Sequence, residues 1–196
     1  MTAPEAPKAS RGPVVVTGIG VVTAVGTTAA QTLTSIRAGL RRVTERPLSG
    51  SGGEPGEAGG VYLASGADGA ASALGVSGAS DLALHAAREA LFDAGLYEPR
   101  DVEAAYRRTS VAVFLAVPYA DSPSADPLAA PGFREALAAA GLVERGRTEV
   151  VAVPGGHAGG ILALQAASSR LLSGTVDVAL VGGLDAMLNP ARVADI

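Results

Sequence analysis

Two histidines, His85 and His157, and no cysteine bound the side-chain chemistry open to this 196-residue chain. Without a thiol there is no disulfide, no thiolate metal site and no cysteine nucleophile. His157 stands in PGGHAGG, residues 154–160, with glycines close on both sides. Glycines let the backbone bend sharply and a ligand come near, and the first amides of a following helix carry a partial positive charge. Together they make the physical form of a nucleophile turn beside an oxyanion site, because developing negative charge is best held by amides already aimed at it. His157 is therefore the candidate catalytic residue, and the backbone at Gly155, Gly156, Ala158 and Gly159 is the candidate substrate-binding surface. An imidazole there can act as a base or donate a hydrogen bond, whereas an acyl-imidazole is too labile to store an acyl group well. No Ser-His-Asp constellation accompanies it, and Asp185 reads as a turn carboxylate. His85 reads as an ordinary helix residue, so no metal and no cofactor are expected.

The elements that must position His157 are legible around it. Residues 149–153, EVVAV, suit a strand that stops at Pro154, Gly155 and Gly156. Residues 158–172 contain no proline, and Ile161, Leu162, Leu164, Leu171 and Leu172 with the alanines cover nearly the whole circumference, which predicts a buried helix. Gly174 ends it, and residues 176–181 read as a continuous apolar strand, completing a right-handed βαβ unit.

Earlier in the chain, residues 14–16 predict a strand, with Gly18, Gly20 and Gly26 letting it pass closely under a helix. A Gly-x-Gly-x-x-Gly nucleotide motif fails because Thr23 holds the third position. Thr27 or Thr28 can cap a helix running to Ala38, and Gly39 ends it. Arg37, Arg41, Arg42 and Arg46 follow, either as cations that suit a helix C-terminus or as a docking surface for an acidic carrier protein. Residues 49–60 predict a loop, residues 61–64 a brief strand, and a small-residue loop reaches Ser80. Ser80 caps a helix with Leu84, Ala87, Leu91 and Ala94 on its apolar face and Gly95 at its end. Residues 110–117, SVAVFLAV, predict a strand buried on both faces, residues 118–131 a loop with four prolines, and residues 132–142 a helix. This gives four main parallel strands in a helix-covered sheet.

The stretch around His157 resembles the active-site region of β-ketoacyl synthases, the condensing enzymes of fatty-acid and polyketide synthesis, which have the thiolase fold. In that family a cysteine starts the buried helix, and a glycine, an aspartate and a Gly-Gly pair follow at fixed offsets. Gly174, Asp177 and the pair Gly182 and Gly183 stand in those places, and counting back without a gap puts His157 at the cysteine's. Residues 13–26, PVVVTGIGVVTAVG, resemble the family's opening strand and turn, and residues 81–96, DLALHAAREALFDAGL, its second long helix. The resemblance implies an α/β thiolase-like half-fold, a mostly parallel sheet with a buried central helix and covering helices. It divides the chain into a flexible tail, residues 1–12, and a ketosynthase N-terminal-half-like domain, residues 13–196. The family's fifth N-terminal strand and whole second half would follow residue 196. Where the family has a glycine-rich turn after its second strand, this chain has Pro118, Tyr119 and Ala120 and a shorter covering segment, which implies an altered acyl pocket.

Condensation in the family needs the cysteine thiolate and two histidines from the second half. His157 in the cysteine's place therefore implies a catalytically compromised ketosynthase-like subunit, in the manner of chain-length factors. Such a subunit would partner a condensing enzyme or a missing C-terminal half in type II polyketide or fatty-acid biosynthesis. The alternative is an enzyme acting on acyl-carrier-protein thioesters by acyl transfer, hydrolysis or decarboxylation, with His157 as base or acyl acceptor. A third reading is a scaffold whose site has no role. The helix after His157 argues for a partner, a ketosynthase-like chain or a second copy. Leaving four of its large aliphatics in water costs roughly 6 to 12 kcal/mol, at about 1.5 to 3 each, comparable to a domain's stability. An acyl carrier protein is a further possible partner. A net charge of −4 argues against nucleic acid. No apolar signal core and no run near 18 apolar residues occur, so membrane spanning and secretion are not expected and the cytoplasm is.

Overall fold

A computed structural model describes residues 12–47, 61–76, 79–96, 110–117, 130–144 and 146–184. The expected tail up to residue 11, the loop at 49–60, most of the proline-rich loop and Asp185 lie outside the described residues. In chain order the elements are α1 (Ala29–Arg37), β1 (Thr44–Pro47), β2 (Val61–Ala64), α2 (Asp68–Leu74), α3 (Ala79–Asp93), β3 (Val111–Val117), α4 (Ala130–Ala139), β4 (Thr148–Pro154), α5 (Gly159–Leu172) and β5 (Val178–Gly183), with a 3₁₀ turn at Gly156–Ala158 before α5. The fold is α/β, consistent with a thiolase-like half-fold.

The main sheet is parallel, in the order β4-β3-β5. Seven apolar residues in a row make β3 the central strand, because only a strand covered on both faces can bury every side chain. Val111, Val113 and Leu115 point into a layer built from Ala87 and Leu91 of α3 with Phe133 and Leu137 of α4. Ala112 and Phe114 point the other way, onto Ala163 and Ala167 of α5. The molecule is thus helix, sheet, helix, with β4 and β5 on either side of β3 and not adjacent to each other.

The helices end as their glycines require. At the end of α5, Gly174 adopts φ +71°, its N–H donates to the carbonyl of Leu171, and that of Thr175 donates to Arg170, which satisfies two terminal carbonyls. Thr28 caps α1, its hydroxyl accepting from the Gln31 N–H. Ser80 does not cap α3, which already includes Ala79.

Several sequence expectations are corrected. The parallel sheet has three strands among the described residues, because residues 14–16 form none. Just after them, Ile19 and Val21 donate their N–H groups to Asp93 and Glu89 of α3 at 2.9 Å each, which ties the glycine segment to that helix. The close passage under a helix does occur: a Cβ on Gly18 or Gly20 would fall within 2.1 Å of the carbonyl oxygens of Ala90 and Ala86. The brief strand at 61–64 exists as β2 and pairs antiparallel with β1, and the small-residue stretch after it contains α2, neither β1 nor α2 being expected. The helix expected at 132–142 runs Ala130–Ala139, since Gly141 at φ +69° turns the chain and Leu142 packs back into the core. The last strand starts at Val178 because the N–H groups of Asp177 and Val178 both donate to the Ser110 carbonyl, and the Asp177 carboxylate accepts from the Ser110 N–H and hydroxyl.

The main correction concerns α5. It is not buried all round: Gly159, Ala163 and Ala167 face the sheet, while Ile161, Leu162, Leu164 and Leu172 are exposed. A helix seated on glycine and alanine comes close to the strands beneath it, and its large aliphatics are left on the outside.

Three substitutions test the packing of the fold. Gly20→Ala is expected to cost on the order of 1–3 kcal/mol, because the new methyl overlaps backbone that cannot yield, whereas Gly12→Ala, with open space around it, should stay within about 0.5 kcal/mol. The Thr148 hydroxyl is buried with no hydrogen-bond partner among the described residues. Thr148→Val is therefore expected to stabilise the fold by about 1 kcal/mol in chemical denaturation.

Candidate functional site

The site is assembled where β4 hands over to α5. Pro154 closes β4 opposite Val117, and the Gly155 N–H then donates to the Val117 carbonyl at 3.3 Å, which fixes the turn to the end of the central strand. A Cβ on Gly155 would lie 2.7 Å from the Gly159 Cα and 2.8 Å from the Leu162 Cδ1, so only glycine lets the helix start this close to the strand. Gly156 takes φ +50°, a left-handed conformation that other residues adopt at a cost. These two glycines lift the next side chain, His157, out of the turn.

His157 is exposed and forms no hydrogen bond among the described residues. Behind it, Gly159 is buried against Ala116, and Gly183 at the end of β5 approaches the same methyl, so the start of α5 and the end of β5 converge on one residue of β3. The first turn of α5 has no capping side chain and no acidic residue. The N–H groups of Ala158 and Gly159 donate instead to the carbonyls of Gly155 and Gly156, so the 3₁₀ turn itself caps the start of the helix. The opposite end of the unit is held by the Glu149 carboxylate, which accepts two hydrogen bonds from Arg170 Nη2 at 2.9 and 2.7 Å.

Of the residues singled out in the sequence, Gly155, Gly156, His157, Ala158 and Gly159 come together in this turn. His85 does not join them. It lies half-buried on α3, on the opposite face of the sheet from α5. Arg37, Arg41 and Arg42 are exposed at the end of α1 and just after it, with Arg42 reaching over Gly69 of α2. Among the described residues no group of histidines and carboxylates is arranged to hold a metal ion, and no helix is long and apolar enough to cross a membrane.

Sequence reasoning missed Glu89 and Asp93. Glu89 accepts from the N–H of Val21 and, through its other oxygen, from that of Ala29 at the start of α1, so one carboxylate orders both the glycine loop and the first turn of a helix. The signal available was an acidic pair four residues apart beside the small residues Ala86 and Ala90, which marks a helix face that meets backbone rather than side chains.

The topology, the glycine turn and the apolar helix with a small-residue seat can now be set against known families. The model of the family described as Beta-ketoacyl synthase, N-terminal domain, matches residues 11–196. The chain belongs to the β-ketoacyl synthase family. Comparison with curated proteins and with solved structures gave no significant match. As a ketosynthase N-terminal domain, the chain has a ketosynthase-like role in biosynthesis.

The exposure of the two histidines is directly measurable. Treatment with diethyl pyrocarbonate followed by peptide mass mapping is expected to modify His157 faster than the half-buried His85.

Proposed function

We propose that this ketosynthase domain does not itself condense acyl units but serves as a subunit that works against a partner, a condensing chain or the complementary half of the fold, in polyketide or fatty-acid assembly. The observation that carries the reading is His157: the turn that presents a nucleophile between β4 and α5 presents an imidazole. A thiolate can accept an acyl group from a carrier thioester and keep it until the second substrate arrives, whereas an acyl-imidazole is lost to water. The exposed aliphatics of α5 support the partner half of the reading, since a face of this kind is stable only when covered. Arg37, Arg41 and Arg42 offer cations to an acidic carrier protein.

A second reading is favoured by the exposure of His157 in the glycine turn. The imidazole acts as a base, or accepts the acyl group, on a carrier-bound thioester, giving acyl transfer, hydrolysis or decarboxylation.

One experiment separates the two. The protein and its His157→Cys and His157→Ala variants are incubated with an acyl-pantetheine thioester, and intact mass and free thiol are followed. The proposal expects no acyl adduct and no thiol release above background for the wild type and His157→Ala, but a hydroxylamine-labile adduct on His157→Cys. Thiol release by the wild type that disappears in His157→Ala would favour the enzyme and overturn the proposal.

A further inference from the structure

We draw no further inference here: the strongest candidate, the exposed surface patch of Leu33, Ile36 and Leu40 along α1 and just beyond it, beside Arg37, Arg41 and Arg42, belongs with its arginines to the docking surface already described, and nothing among the described residues shows what covers its apolar side chains.

Discussion

The structure depends on how closely α5 lies against β3. Gly159, Ala163 and Ala167 face Ala112, Phe114 and Ala116, so on its inner face the helix contributes side chains of one carbon or none and its backbone approaches the sheet closely. That closeness sets the depth of the turn at Gly155 and Gly156, and with it the height at which His157 stands. It also dictates where the bulk of the helix must go. A helix rich in leucine and isoleucine that seats itself on glycine and alanine has no room beneath it for the large residues, and they project outward. The site and the exposed apolar face therefore have one cause.

The other layer works differently. Phe133, Leu137 and Leu142 fill the volume beneath Val113 and Leu115 with large side chains, as an ordinary core does. Beyond it the opening residues of the domain are held by charge-assisted hydrogen bonds from the backbone N–H groups of Ile19, Val21 and Ala29 to the carboxylates of α3. One face of the sheet is thus sealed by packing and the other is seated by contact between small residues. The turn that carries His157 lies on the thinly covered side, beside the end of the central strand.

Much of this was legible in the sequence. The uninterrupted apolar run of β3, the glycine punctuation around His157 and the glycines that end α1, α3 and α5 depend on local backbone and burial rules, and they stand where the residues put them. The expected first strand did not form, because three valines fit a strand and an exposed segment equally well, while the segment just after them is fixed by Asp93 and Glu89 some seventy residues away. The burial of α5 was misjudged for a related reason. Its circumference is apolar, but periodicity reports hydrophobicity and not size, and it was the size of Gly159, Ala163 and Ala167 that chose the inner face.

The strand order carries a consequence for how the chain is made. Both neighbours of β3 come after it in the chain, and roughly sixty residues separate it from β5, which a ribosome working at 5–20 residues per second needs about 3 to 12 s to add. For that interval this wholly apolar strand exists with at least one flank unpaired, and with both until β4 is made. During synthesis it is a natural target for a chaperone that binds extended apolar segments, and a starting point for aggregation where such help is scarce.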